Sequence, residues 1–427
     1  MTQLAEPLRL PCGVLLPNRL FKSAMTEGLA TPLGHATERH ATLYRRWSAS
    51  GVGTLVTGNV MIDYRFLERP GNIVIDGNGG EAPLARLAEA GTAHGNQLWM
   101  QISHPGRQCT RLSNGRPLAP SPTQLQLGGL FGQPRAMSEE DIRRAIEAYA
   151  RVARAAKTAG FTGVQVHGAH GYLLSQFLSP RTNQRTDAWG GSLENRARML
   201  LEAIRGVRAA VGPDFPVSVK PNSADFSKNG FTIEDCCQVA AWLEEEGLDL
   251  LEISGGTYEN FSPLDSGRRK SESTIAREAF FIEYAKQIRR SVKLPLAVTG
   301  GFRSRATMDQ ALAENALDVI GIARPLCVDL DAGHRLLAEA DYRLPEPENA
   351  LALGPGWFGP YSSNGLIKSL NVQGIVAWFY RQIIAIAEGQ PVPQAMGALG
   401  AYLRHMRQEL GLAMARRRQL KAAGKPL

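Results

Sequence analysis

The sequence predicts an α/β fold: a (β/α)8 barrel, the TIM-barrel architecture, with a C-terminal helical extension. Three observations predict it. Eight short apolar runs alternate with longer amphipathic stretches across about 330 residues. Each run is apolar at successive positions, as a parallel strand covered on both faces should be. Polar residues and glycines follow one run after another, as they do where barrel strands end at a working rim. An open doubly wound sheet is the rival. It lacks its mark, because no GxGxxG follows the first run, and "GVG" at Gly51–Gly53 precedes a strand.

The predicted strands are Leu20–Ser23, Thr54–Asn59, Leu98–Ile102, Gly163–Val166, Val217–Lys220, Leu250–Ser254, Leu296–Thr299 and Val319–Ala323. Helical patterns lie between them. "SEEDIRRAIEAYARVARAAKTAG" opens on Ser138, carries acids in its first turn and stops at Gly160. "TIEDCCQVAAWLEEEG" spans Thr232 to Gly247. After the barrel, "RLPEPENALALGPGWFGPYSSNGLIKSL" is rich in Pro and Gly and reads as a linker. "VQGIVAWFYRQIIAIAEG" then reads as an amphipathic helix. The division expected is residues 1–340 for the barrel and 341–427 for the extension. Trp357, Phe358 and Tyr361 are expected to cap the barrel or to pack on a partner subunit.

Composition narrows the class. Of 427 residues, 44% are hydrophobic and 21% charged, which is ordinary for a soluble globular protein. No apolar run reaches the length needed to span a bilayer, and "MTQLAEPLRLPCG" lacks the layout of a signal peptide, so a cytoplasmic protein is expected. The five cysteines, Cys12, Cys109, Cys236, Cys237 and Cys327, form no CxxC pair, which argues against a disulfide framework, a zinc site or an iron–sulfur cluster. The net charge is +8, with arginines and lysines gathered in the last thirty or so residues. Nucleic acid is one reading of that tail; a solvated helix ending in a frayed terminus is the commoner one.

Chemistry is expected where the strands end. Glycines in "TGGFRSR" and the arginine of "GIARPL" sit after strands seven and eight, where barrels hold phosphate on free backbone N–H groups. Lys220 ends "VSVK". It must meet an anion or shift its pKa, and it suits a Schiff base or a negatively charged ligand equally. "HGAHGY" places His167, His170 and Tyr172 after strand four. A zinc site needs at least a third ligand, and no motif ties His104 or Glu259 to the pair. Two N–H donors converging on one carbonyl oxygen, with a phenol that stays protonated at neutral pH beside them, is the favoured reading. A rim aromatic packed on Phe177 is the plainer alternative for Tyr172.

The stretch "HGAHGYLLSQFLSPRTNQRTDAWGGSLENRARML", His167 to Leu200, resembles the signature of the old yellow enzyme family. "KPNSADFSKNGFTIEDC" and "LLEISGGTYE" are similar to its bacterial branch of NADH:flavin oxidoreductases and to the barrel portion of dienoyl-CoA reductases. The resemblance covers roughly residues 5 to 340. It implies a TIM barrel with FMN in its mouth and NADH or NADPH as hydride donor. By position it implies Ala24, Thr26, Gly58, Gln101 and Lys220 around the flavin ring, with Thr26 bonding a flavin carbonyl. It implies Gly301, Ala323 and Arg324 at the phosphate. It implies His167 and His170 on the oxygen of a small enone-type substrate and Tyr172 as proton donor. The cysteine cluster and second nucleotide-binding part of dienoyl-CoA reductases do not follow the barrel here. A tRNA dihydrouridine synthase, which needs a cysteine acid that only Cys109 could supply, and a non-catalytic flavin-binding barrel are the rival functions. Nucleic acid and membrane are not expected as partners, and a homo-oligomer is left open.

Overall fold

The computed structural model describes residues 3–126, 129–255, 273–393 and 395–425, with the side chains of 273–280 set aside. Eight parallel strands form the barrel: β1 Leu20–Lys22, β2 Thr54–Met61, β3 Gln97–Ser103, β4 Gly163–Gly168, β5 Val217–Pro221, β6 Leu250–Ile253, β7 Leu296–Thr299 and β8 Val319–Ile322. Each pairs with the next, and β8 returns to β1 with Gly321 opposite Phe21, which closes the ring. A helix follows each strand: α1 Glu38–Ser48, α2 Glu81–Gly91, α3 Glu139–Thr158, α4 Leu193–Val211, α5 Ile233–Glu245, α6 Ser273–Arg289, α7 Arg305–Ala313 and α8 Ala332–Ala338. Their starts are chemically marked. Ser138 accepts from the Asp141 N–H at 3.1 Å while Asp141 accepts from the Ser138 N–H at 3.0 Å, a reciprocal cap on α3.

The side-chain period of two divides the barrel interior into layers. At the lower end Phe21, Val56, Trp99, Leu250, Ala297 and Val319 pack together, closed from below by Leu10 and Leu16 of a short antiparallel hairpin. One step up six of the strands the facing residues turn polar: Ser23, Gln101, Gln165, Ser218 and Glu252 are buried and Thr299 is half-buried. The expectation that the strands are apolar on both faces therefore holds only for the outer face and the floor. Glycines make room within these layers. A Cβ on Gly163 would come within 2.5 Å of the Trp99 ring, and one on Gly321 within 1.8 Å of Thr299 Oγ1.

Two long helices follow the barrel, α9 Gly365–Ala387 and α10 Ala398–Ala422. They pack on each other, and α9 also lies against α1. Trp378 donates its indole N–H to the Met396 carbonyl at 2.7 Å, tying α9 to the segment that leads into α10. The basic tail is a helix that packs along one face and leaves most of its basic residues, among them Arg404, Arg407, Arg417, Arg418 and Lys421, in solvent, while Arg416 is buried and donates into the barrel's Tyr64 carbonyl. Trp357, Phe358 and Tyr361 are each more than half exposed, so they do not cap the barrel in this chain. No helix among the described residues is long and apolar enough to cross a membrane.

Candidate active site

The C-terminal rim holds a cavity of about 170 Å³ lined by Ala24, Thr26, Asn59, Glu68, Gln101, His167, His170, Tyr172 and Lys220. Parity explains the membership. On β4, Gly163, Gln165 and His167 face inward in turn, and on β5 Ser218 and Lys220 do the same. On β2 the register with β3 shifts between Val56 and Asn59. That bulge exchanges the faces, so Asn59 lines the cavity while Val60 joins the outer core.

The upper wall is one continuous run of hydrogen bonds. Thr26 Oγ1 donates to Glu68 Oε2 at 2.9 Å, and Asn59 Nδ2 donates to the same oxygen at 2.7 Å. Asn59 Oδ1 meets His167 Nδ1 at 2.9 Å, His167 Nε2 meets His170 Nδ1 at 3.0 Å, and His170 Nε2 meets Ser254 Oγ at 2.7 Å. The imidazoles therefore hold each other, and an incoming oxygen has to part them. Burial, the neighbouring His170 and the Lys220 cation push the His167 pKa well below its ordinary value. Burial and Lys220 push His170 down to about 3, against the pull of Glu252. Both rings are neutral at pH 7. Tyr172 is buried with its ring 4.6 Å from that of His167.

His170 sits at φ 59, in the left-handed region that non-glycine residues seldom adopt. Its N–H donates to Asn222 Oδ1 and its carbonyl accepts from Gln108 Nε2, both at 2.9 Å. Those two amides over-determine the turn that aims the ring inward.

Beneath lies a second network centred on Glu252, which is fully buried. It accepts from Lys220 Nζ at 2.7 Å, Thr299 Oγ1 at 2.7 Å, Ser23 Oγ at 2.8 Å and Gln165 Nε2 at 2.8 Å. Gln165 Oε1 in turn accepts from Gln101 Nε2 at 2.7 Å. Burial pushes the Glu252 carboxyl up, but the Lys220 charge and the hydrogen bonds from Lys220, Thr299 and Ser23 outweigh it and hold the group below its usual value.

Of the residues singled out in the sequence, Ala24, Thr26, Gln101, Lys220, His167, His170 and Tyr172 come together here. Gly58 does not line the cavity. Its N–H donates to Glu27 at 2.8 Å, and a Cβ there would strike Glu27 and Met25, so it lets the segment after β1 approach β2. Gly301, at φ 87, and Ala323 stand at the ends of β7 and β8, outside this cavity. Arg324 is half exposed and pairs with Glu348 at 3.4 Å, while Arg303 beside it pairs with Glu348 at 3.0 Å and Glu346 at 3.3 Å. Glu259 lies outside the described residues. Sequence reading sets Asn59 at the rim, at the end of strand two, without a role, and misses Glu68 and Glu252. For Glu252 there was a signal: an acid inside an apolar run, on the same parity as the rim lysine of the neighbouring strand. A larger concavity, about 1020 Å³, lies outside the barrel between Asp329, Arg335, Tyr342 and Trp378 and holds none of these groups.

Residues 3–340 match the model of the NADH:flavin oxidoreductase / NADH oxidase family. An NADH-dependent flavin oxidoreductase, iliE, of Neonectria sp. (strain DH2) is 37% identical over 403 residues, covering 88% of this chain and 51% of the relative. Its namesake in Hypocrea jecorina (strain QM6a) is 36% identical over 345 residues, covering 76% of this chain and 86% of the relative. A solved 2-naphthoyl-CoA reductase in complex with 2-naphthoyl-CoA superposes with a TM-score of 0.74 at 26% identity, covering 80% of this chain and 53% of that one. The chain thus spans about half the length of the Neonectria relative and of the naphthoyl-CoA reductase.

Proposed function

The chain belongs to the NADH:flavin oxidoreductase / NADH oxidase family, the old yellow enzyme family, and on that premise we propose that it uses FMN to reduce the activated C=C bond of an α,β-unsaturated carbonyl compound. FMN, when bound, supplies the hydride relay, from NADH or NADPH to the β-carbon of the substrate. The donor set fits such a group. Gln101 and Lys220 bring an amide and an ammonium to the cavity lining, which suits the polar edge of a flavin ring. At about 170 Å³ the cavity suits part of a ligand, since a pocket that buries a whole one is typically about 300–1,000 Å³. Gly301, Ala323 and Arg324 would hold the phosphate.

The chain's own part is to position and polarise. His167 and His170 hold the substrate oxygen, and the buried rim around them excludes water. Tyr172, packed on His167, delivers its phenolic proton to the α-carbon. Because the oxygen site and the proton donor lie on one wall, hydride acceptance and protonation share one bound geometry.

The convergence of His167, His170 and Tyr172 on the cavity that also holds Thr26, Gln101 and Lys220 carries this reading. The tRNA dihydrouridine alternative is disfavoured, because Cys109 is fully buried off the cavity and burial pushes its thiol up to about 12. The test is anaerobic. The yellow FMN-loaded protein should bleach with NADH or NADPH and regain its colour with cyclohexenone. Colour that returns with tRNA and with no enone, or a protein that takes up no FMN, would overturn the proposal.

A further inference from the structure

We propose that Glu27 is a positioning residue of the site: through the Gly58 N–H it holds the bulge of β2 that turns Asn59 inward, and so sets the hydrogen bond that aims His167. This rests on reading the rim as the substrate site.

The register between β2 and β3 passes from Val56 opposite Trp99 to Asn59 opposite Gln101, so Thr57 and Gly58 stand against the single Met100. A bulge interrupts the ladder, and its buried backbone groups need other partners. Side chains supply them. The Val56 carbonyl accepts from Lys22 Nζ at 2.7 Å. The Gly58 N–H donates to Glu27 Oε1 at 2.8 Å. Thr57 Oγ1 accepts from the Gln101 N–H at 3.0 Å and donates to the Gly58 carbonyl at 2.9 Å. Lys22 ends β1 and Glu27 follows in the same segment, so one stretch of chain braces the bulge at both ends.

Glu27 is the part of this brace that reaches the site. It adjoins Thr26 in sequence, as Gly58 adjoins Asn59. One carboxylate oxygen therefore ties the segment carrying Thr26 to the segment carrying Asn59. Above that tie, Thr26 Oγ1 and Asn59 Nδ2 meet the same oxygen of Glu68, and Asn59 lies 2.9 Å from His167 Nδ1. The bare Gly58 Cα is what lets the carboxyl come so close. The carboxyl is itself fixed, because Tyr44 donates its hydroxyl to Oε1. Burial pushes Glu27 up against the pull of Tyr44, Gly58 and the Lys22 cation. Either protonation state leaves an oxygen that accepts the Gly58 N–H, so the brace needs the acceptor rather than the charge.

The test uses the FMN-loaded protein and compares Glu27→Met, which removes the acceptor, with Glu27→Gln, which keeps it. In Glu27→Met, hydrogen exchange across Thr54–Met61 should quicken, and kcat/KM for cyclohexenone should fall about 10- to 100-fold, as a small misplacement of a polarising group does. Glu27→Gln should restore most of both. Thr57→Val loosens the same bulge from its other side and should act in the same direction, with Thr57→Ser as the rescue; this pair decides the matter if Glu27→Met does not fold. Tyr44→Phe takes one hydrogen bond from Glu27 but leaves Gly58 its acceptor, so it should lower the urea midpoint and spare turnover. Exchange across β2 that Glu27→Met leaves unchanged overturns the proposal. So does turnover that survives a loosened β2, or that follows the urea midpoint through the whole set. If the wild type turns over no enone, the reading of the site fails instead, and exchange across Thr54–Met61 still decides whether Glu27 holds the bulge.

Discussion

Lys220 Nζ stands 2.7 Å from Glu252 Oε1, and both side chains are buried in the barrel. Strand-to-strand pairing of β5 with β6 makes the contact, because both residues fall on the inward parity. The lysine that meets the cavity therefore arrives already neutralised from beneath.

Glu252→Gln strands that ammonium without a full countercharge. The expected loss is about 3–5 kcal/mol, the usual result of breaking a buried ion pair from one side. The double change Lys220→Met with Glu252→Leu should lose much less, because no charge is left buried. Urea unfolding of Lys220→Met, Glu252→Leu and the double closes the cycle. A single-variant loss under about 1 kcal/mol would mean the pair is solvated.

The barrel was legible because its signal is repetitive. Eight buried runs each needed a covering helix, and all eight appear at or within two residues of their expected ends. The histidines and Tyr172 were legible because a local motif carries them. Asn59 was legible only as a residue at the end of strand two and Glu68 not at all, because what joins them is long-range. A bulge in β2 turns Asn59 inward, and Glu68 reaches it from the following loop. The role of α10 was equally hidden, since nothing in its sequence names Arg69 as the partner of Glu409.

Asn222 holds His170 in a left-handed turn by accepting its N–H at 2.9 Å. Asn222→Ala leaves that buried donor unsatisfied and the strained φ unsupported, at a cost of about 1–3 kcal/mol. Enone turnover should fall well before FMN affinity does, because the imidazole loses its aim while the flavin-side groups stay. Equal losses in both would mean the whole rim has slackened.

Glu348 shares the guanidinium of Arg324 with the expected phosphate, at 3.4 Å. Glu348→Gln should tighten FMN binding by about 0.2–1 kcal/mol, since Arg324 is half exposed and its pair is screened. Fluorescence titration of apoprotein with FMN measures it. Weaker binding in that variant would show that Glu348 orients the arginine rather than competing for it.

The extension braces the loop that delivers Glu68. Arg69 pairs with Glu409 at 3.2 Å, its guanidinium lies 3.9 Å over the Tyr380 ring, and it also meets His405. Glu409→Gln should cost about 1–3 kcal/mol, moderated because the stacking on Tyr380 survives. It should also lower enone turnover, because Glu68, next to Arg69, anchors the Asn59–His167 hydrogen bonds. Unchanged turnover with lowered stability would confine α10 to a packing role.

Acid should unfold this protein earlier than its carboxylates alone require. Burial pushes His40 and His170 down to about 3 and His104 down to about 4. His405 is pushed to about 3 by burial and by Arg69 and Arg381. In the unfolded chain these rings take a proton near pH 6.5. The folded state resists that proton, so their contribution is complete above about pH 6.5 and drains away as pH falls toward the folded values. Each ring adds a slope of up to about 1.4 kcal/mol per pH unit in that window, and none below it. Urea midpoints should therefore drop steeply between pH 6.5 and 4.5. In His104→Gln and His40→Gln, where an uncharged amide replaces a titrating ring, the drop should be shallower. A midpoint that holds level to pH 5 and falls only with the carboxylates would show that water reaches these histidines in the folded protein.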